Sequence, residues 1–297
     1  MGTLIRASGV HTASTPIASV VCSARAAERC LEAAGVRKVD VDLLISTGVY
    51  RENNLAEPAL AALIQRELGA NPDPFLDDQG HRTLAFDLMN GPVGLLNAVQ
   101  VADAMLTNGR YRNVLVVSND VHPSVKATPS FPFTQVGTAI LLGHTDDPDV
   151  GFRGLVFRTS ARTDPGFRGI INLNEDRGGA APRSFIRIDI EPRYVERLRA
   201  FTVRTVSEYL REHAGGARVT HVVCSRPTES FGEEVVAGLS LPTGVVVCDG
   251  VQGDAHSSYL AASFHAAGSS RVFKRGDTVL FIGAGAGLTC GCGLYRM

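Results

Sequence analysis

The chain alternates short apolar runs with longer amphipathic stretches, a pattern typical of proteins that combine strands and helices. Apolar runs bounded by Gly, Pro, Asn or Asp predict buried strands, and longer stretches with apolar residues at helical spacing predict helices. Strands are predicted at 41–49, 84–88, 114–117, 136–143, 221–224, 244–248, 278–282 and 288–295, with a strand and turn over 1–17 and further candidates at 154–159 and 169–173. Helices are predicted at 18–34, 58–68, from the turn at 90–92 to about 108–109, at 194–213, from about 229, and at 256–267.

The order of these elements is repeated. Two similar runs of strands and helices lie on either side of residues 145–183, a stretch rich in Asp, Gly, Pro and Arg. The sequence therefore predicts a duplicated, layered α/β architecture. We expect an N-terminal half over 1–145 and a C-terminal half over 146–297.

Residues 86–98, FDLMNGPVGLLNA, predict a sharp elbow between a strand and a helix. α/β enzymes commonly present a nucleophile at such a turn, because the helix dipole and its free amide groups favour negative charge. The turn itself spans 90–93, and the residue at its centre is Pro92.

Charge and composition narrow the classes of function. The chain has 297 residues, with 29 basic and 30 acidic side chains, so nucleic acid and anionic membranes are poor first candidates as partners. No apolar run approaches the roughly 20 residues of a membrane helix. The start of the chain lacks the apolar core of a signal peptide, and Arg6 breaks the myristoylation pattern. We expect a soluble, cytoplasmic protein.

Neither the cysteines nor the glycine-rich segment predicts a metal or cofactor. The six cysteines, at 22, 30, 224, 248, 290 and 292, form no CxxC pair, so they are interpreted as reduced, mostly buried thiols. Residues 283–287, GAGAG, precede an apolar strand rather than a helix, which disfavours dinucleotide binding. Their glycines instead predict a loop whose backbone approaches the pocket floor closely.

Three segments carry a resemblance to a known family: 28–48 (ERCLEAAGVRKVDVDLLISTG), 86–120 (FDLMNGPVGLLNAVQVADAMLTNGRYRNVLVVSND) and 279–297 (VLFIGAGAGLTCGCGLYRM). From about residue 18 to its end the chain resembles the ketoacyl-ACP synthase III branch of the thiolase superfamily. The resemblance implies a thiolase-like fold with layered α-β-α-β-α architecture. It also implies acyl-thioester chemistry in fatty-acyl or polyketide-type metabolism.

In that family a Cys at the elbow captures the acyl group, and its own amide helps to hold the oxyanion, while a His and an Asn assist decarboxylation of a malonyl-type partner. The matching positions in this chain are Pro92, Ser225 and Asp254. Proline has neither a nucleophilic side-chain atom nor a backbone N–H. Ser225 cannot replace an imidazole, and the Asp254 carboxylate would repel a malonyl carboxylate. Cys-dependent condensation is therefore not expected.

Purely structural roles also suit Pro92, Ser225 and Asp254. Proline is favoured in a first helical turn, Ser225 suits a turn, and Asp254 suits a cap or turn. His256 is a candidate substitute base, whereas strand alternation should turn Cys224 away from the pocket. Polar groups near strand ends are interpreted as turn and interface formers: Asn90, Ser118, Asn119, Asp120 and His122. The candidate substrate-binding residues are Asn90, Ser225, Asp254, His256 and Gly285.

Three functions are consistent with the resemblance and with the replaced residues. The first is a non-catalytic or accessory subunit that pairs with an active ketosynthase-like protein. The second is an acyltransferase of changed mechanism, which moves an acyl group directly from an ACP or CoA thioester. The third is an acyl-chain or small-molecule binding protein.

The resemblance also bears on partners. It implies a homo- or heterodimer with a ketosynthase III-like subunit, formed through the strand at 114–118. An acyl carrier protein is a further candidate partner. About 17 residues precede the first helix, where the family has coenzyme A contacts, so tight coenzyme A binding through those contacts is not expected.

Overall fold

The computed structural model describes residues 2–15, 17–71, 82–124, 130–161, 166–171 and 186–297. Its strands are β1 Thr3–His11, β2 Leu43–Ser46, β3 Leu84–Asp87, β4 Val114–Ser118, β5 Gly137–His144, β6 Gly151–Thr159, β7 Phe167–Ile170, β8 Arg187–Ile190, β9 His221–Cys224, β10 Val246–Val247, β11 Thr278–Gly285 and β12 Thr289–Arg296. Its helices are α1 Ser19–Ala34, α2 Leu60–Leu68, α3 Gly94–Thr107, α4 Tyr194–His213, α5 Phe231–Ala237 and α6 Tyr259–Ser269. Short 3₁₀ turns lie at Lys38–Asp40, Glu52–Asn54, Gly91–Val93 and His256–Ser258.

Two five-stranded sheets repeat one topology. The first has the order β1-β5-β4-β2-β3 and the second β10-β9-β11-β12-β6, beside a small β7-β8 ribbon. In each large sheet, three neighbouring strands are parallel and two more are added antiparallel. The first sheet ends at His144 and the second begins at Gly151, on either side of the division predicted at 145/146. The shared topology confirms the predicted duplicated α/β fold.

The helices form three layers around these sheets. α3 and α6 pack between the two sheets in a core that includes Leu96, Phe264 and Phe281. α1 and α2 cover the outer face of the first sheet, and α4 and α5 cover the outer face of the second. The layer order is therefore α-β-α-β-α, as predicted.

Strand alternation explains why the first sheet is apolar on both faces. Leu43 and Ile45 face the central core, whereas Leu44 between them faces the outer helices. Successive side chains of a strand point to opposite faces, so a strand buried on both sides is apolar throughout. The uninterrupted apolar run in β4 has the same cause.

Several predicted boundaries are corrected. The strand predicted at 244–248 shrinks to β10, and the helix predicted at 256–267 begins with a 3₁₀ turn before α6. The predicted 283–287 loop is largely strand, because β11 pairs with β12 as far as Gly285. The predicted loop at 122–134 and the link at 145–183 lie partly outside the described residues.

The expected dimer strand is also corrected. β4, which covers the predicted 114–118, pairs with β2 on one side and β5 on the other, so it has no free edge for another subunit. β3 is the edge strand at that end of the described sheet. Within the described ranges, no helix combines the length and apolar character needed to cross a bilayer.

Candidate functional site

The elbow predicted at 90–93 connects β3 to α3. Gly91 has φ +49°, a left-handed conformation that favours glycine, and Pro92 then enters the 3₁₀ turn at its first positions. The Val93 N–H donates to the Asn90 carbonyl oxygen at 3.1 Å, which closes the turn. The Asn90 side chain is exposed and donates to Asn97 Oδ1 at 2.7 Å. Asn90 does not line the cavity described below, unlike the prediction.

β11 crosses directly over the elbow, and its glycines allow this approach. A Cβ on Gly283 would lie 2.6 Å from the Pro92 carbonyl oxygen, and a Cβ on Gly285 would lie 2.8 Å from Pro92 Cδ. These separations are shorter than van der Waals contact. The close backbone approach predicted for the glycine segment is confirmed.

A cavity of about 220 Å³ lies beside the elbow. The structure brings Pro92, Ser225, Asp254, His256 and Gly285 together around it. The rest of its lining is mostly aromatic, apolar or acidic, with one arginine: Pro132, Phe133, Phe167, Ile190, Tyr194, Val195, Arg226, Pro227, Thr228, Glu229, Gly253, Ala284 and Ala286.

Ser225 serves as a tie between two strands. Its Oγ accepts a hydrogen bond from the Ala284 N–H at 2.9 Å and donates to the Ile282 carbonyl oxygen at 3.4 Å. The single hydroxyl hydrogen is used in this arrangement, and Ser225 fixes the cavity wall. The preceding Cys224 faces the outer core, as alternation predicts.

Asp254 supports the turn that carries His256. Its Oδ1 accepts the His256 backbone N–H at 2.7 Å, the role of a turn residue expected from the sequence. Burial raises the pKa of the Asp254 carboxyl to about 6, and the nearby Asp120 charge adds to the rise, against an opposing effect of His256. A carboxyl in this state exchanges its proton readily near neutral pH.

His256 and Asp120 form a buried pair at the cavity. His256 Nδ1 lies 3.0 Å from Asp120 Oδ2, and the Asp120 side chain is fully buried. The same oxygen accepts the Ser257 N–H at 3.0 Å and the Ser257 hydroxyl. Oδ1 accepts the N–H groups of Val49 and Tyr50 at 2.8 and 2.7 Å. Asp120 is therefore held rigidly, and its interpretation as a turn former is corrected.

The backbone of His256 has an unusual conformation, and its imidazole is closely packed. His256 has φ +47°, which is costly for a residue with a side chain, and its ring packs on Phe133 with centroids 4.3 Å apart. The Nε2 atom lies 3.1 Å from the position that a Cβ on Gly91 would occupy. A side chain at this position would therefore crowd the imidazole. Nε2 makes no hydrogen bond within the part of the chain that the structure describes.

The pair shifts the proton affinity of both partners. Burial would lower the pKa of His256, but the charge and hydrogen bond of Asp120, with the charge of Asp254, raise it above its ordinary value. Burial would raise the pKa of Asp120, but the charge of His256 and the hydrogen bonds lower it. An imidazole whose Nδ1 is bonded to a carboxylate presents Nε2 as a proton acceptor.

No thiol in the described chain replaces the missing nucleophile. All six cysteines are free and buried, as predicted. Burial raises the pKa of Cys22 and Cys248 to about 11 and that of Cys30 and Cys292 to about 12. Thiols with such pKa values carry little thiolate. Among the described residues, no group of three or more His, Cys, Asp or Glu is placed to hold a metal ion.

The duplicated five-layer fold, with an elbow between β3 and α3 on the cavity floor, is thiolase-like. No protein-family model matches the chain. The β-ketoacyl-ACP synthase III of Sphingopyxis alaskensis is 29% identical over 297 residues, covering 97% of this chain and 86% of that protein. The chain is thus similar in sequence to ketoacyl-ACP synthase III, as the sequence segments indicated.

Solved structures agree on the fold. The priming β-ketosynthase of the R1128 polyketide biosynthetic pathway is 20% identical, has a TM-score of 0.80, and is covered to 96% by the whole of this chain. The 3-oxoacyl-ACP synthase III of Aquifex aeolicus VF5 is 19% identical, with a TM-score of 0.77 and full coverage of both chains.

Proposed function

We propose that the protein is an acyltransferase that moves an acyl group directly from a thioester to an acceptor, with His256 as general base. The buried Asp120–His256 pair, aimed into a cavity whose elbow holds Pro92, carries this proposal. The similarity to ketoacyl-ACP synthase III supports an acyl thioester as the donor.

The proposed reaction needs no acyl-enzyme. His256 Nε2 takes the proton of the acceptor as its nitrogen or oxygen attacks the thioester carbonyl carbon. The C–S bond then breaks, and the departing sulfur takes the proton from the imidazolium. Asp120 is a positioning residue that orients the imidazole and stabilises its charged form.

Pro92 excludes Cys-type chemistry at the elbow, because it has no nucleophilic side-chain atom. Pro92 supplies no N–H, and the Ala284 N–H is already bonded to Ser225 at 2.9 Å. Amide donors that would stabilise an oxyanion are therefore reduced, and one such donor is worth roughly 10²–10³ in turnover. Direct transfer also forms an oxyanion, so with fewer amide donors it depends more strongly on the base.

Release of free thiol from acyl thioesters, measured with hydroxyl and amine acceptors, tests the proposal. We expect His256→Gln to lower the transfer rate by about 10²–10⁴. The control is His144→Gln, because His144 is exposed beside Asp146 and does not line the cavity. Undiminished transfer in His256→Gln, or no transfer by the unaltered protein, would overturn it.

A second candidate function is that of a non-catalytic subunit paired with an active ketosynthase III-like protein. Pro92 at the nucleophile position supports it, as does β3, which is the edge strand of the first sheet among the described residues and leads into the elbow. Co-expression with such a protein tests this candidate. A stable complex in which the partner alone turns over substrate, unaffected by His256→Gln, would favour it over the acyltransferase.

A further inference from the structure

The lining of the cavity has the chemistry of a site for a cation. Asp254 and the exposed Glu229 contribute carboxylates to it. The opposing charge is Arg226, whose Nη1 lies 3.4 Å from Asp249 Oδ1 and 3.2 Å from Tyr259 Oη. When His256 is neutral, as a base must be, Arg226 is the one cation of the described lining against the two carboxylates, and its Nη1 already lies near Asp249.

One carboxylate oxygen of Asp254 is available to bind a ligand. Its Oδ1 is used by the His256 N–H, whereas Oδ2 has no hydrogen bond among the described residues. His256 itself is only 8% exposed, yet its Nε2 is likewise unbonded within the described chain, and both residues line the cavity. Two unbonded polar atoms at one cavity are therefore available to a ligand that meets both.

Three aromatic rings complete the wall. Phe133 and Phe167 have centroids 6.4 Å apart, and Phe167 and Tyr194 have centroids 5.6 Å apart. Ring faces attract cations, and the attraction grows when water is excluded. The volume of about 220 Å³ is below the roughly 300–1,000 Å³ of sites for drug-sized ligands, so the ligand is small.

We infer that the acyl acceptor is a small primary amine, which enters as its ammonium ion, binds Asp254 Oδ2 and rests against the aromatic wall. This inference rests on the proposed acyl transfer and names its acceptor. It excludes malonyl-type acceptors, since their carboxylate would be repelled by Asp254.

The protons balance in such a reaction. The ammonium gives one proton to the Asp254 carboxylate, and the resulting amine attacks the thioester carbonyl carbon. His256 Nε2 takes the second proton, the C–S bond breaks, and the sulfur takes that proton. Asp254 then releases its proton to solvent, so each turnover yields one amide, one thiol and one proton.

Binding of butylamine to the whole protein tests the inference without turnover. Ligand-observed NMR should detect butylammonium, and Asp254→Asn should weaken its binding at least about tenfold, the effect of losing one charge-assisted hydrogen bond. Asn keeps an oxygen for the His256 N–H, so the turn is retained. Asp149→Asn is the control, because this 82%-exposed carboxylate lies by Arg296. Equal binding of butylammonium to both variants overturns the inference.

A turnover assay with two acceptors distinguishes failure of this inference from failure of the proposed function. With an N-acetylcysteamine acyl thioester as donor, mass spectrometry should detect the butylamide in preference to the butanol ester, at a rate that falls in Asp254→Asn. Ester formation alone, abolished by His256→Gln, overturns the amine acceptor and leaves the acyl transfer intact. If His256→Gln leaves the rate of transfer to both acceptors unchanged, the proposed function is overturned.

Discussion

At the scale of single residues, the character of the site follows from what surrounds His256. A histidine two positions beyond Asp254 has no fixed direction in the sequence, and the left-handed conformation of His256, φ +47°, sets that direction. The cost of this conformation is of order 1–3 kcal/mol, and five hydrogen bonds to Asp120 hold the neighbouring segments in place. Strain held in this way is typical of functional sites.

The first prediction concerns the pH dependence of transfer. A base acts only when neutral, and Asp120 holds the pKa of His256 above its ordinary value of about 6.5, so the rate should rise with pH through a midpoint above about 6.5. In Asp120→Asn the stabilising charge is lost, and the midpoint should move to lower pH. The plateau should fall roughly 10²–10⁴-fold, because an Asn N–H facing Nδ1 favours the tautomer with the proton on Nε2.

The measurement is a pH–rate profile of both proteins, with thermal unfolding to confirm that the variant is folded. A purely structural role for Asp120 would lower the rate at every pH without moving the midpoint. That outcome would contradict the positioning role.

At the scale of elements, the sequence predicted the strands, helices and elbow well, because period and turn residues are local properties. Alternation even placed Cys224 and Ser225 on opposite faces. Local patterns could not reveal that Asp120, at the end of β4, meets His256, since 136 residues separate them. They also misplaced Asn90, because a turn residue can point either way from the chain.

The contact of β11 with the elbow gives the second prediction, which belongs to the scale of elements. Gly285→Ala should destabilise the fold by about 1–3 kcal/mol, because its Cβ would lie 2.8 and 3.2 Å from the Cδ and Cγ atoms of Pro92. Pro92→Ala removes both ring atoms. The double variant should therefore recover about 0.5–2 kcal/mol relative to the sum of the single changes.

Urea unfolding of the four proteins measures this coupling. Gly268→Ala in α6 is the control, since nothing lies within 4 Å of its added Cβ, and it should be additive with Pro92→Ala. Additivity of the Gly285 and Pro92 changes would show that the ring contact does not set the packing of β11 on the elbow.

At the scale of the whole molecule, the edge strand β3 connects assembly with the site. Among the described strands β3 has β2 as its only neighbour. Leu84 at its start is 45% exposed, and Met89, two residues beyond its end, is 56% exposed. Open strand edges are templates for pairing with another chain. Because β3 leads directly into the elbow, a second thiolase-like subunit added there would lie beside the cavity.

We therefore expect the protein to form a dimer through β3, either with itself or with a ketosynthase III-like partner. Leu84→Lys should shift the assembly to single chains in sedimentation analysis, because a buried lysine at a strand edge blocks pairing. Val246→Lys is the matched control: Val246 is 44% exposed on β10, the equivalent edge of the second sheet. If Leu84→Lys stays associated while Val246→Lys dissociates, the subunit contact lies at the second sheet, and β3 has no role in completing the cavity.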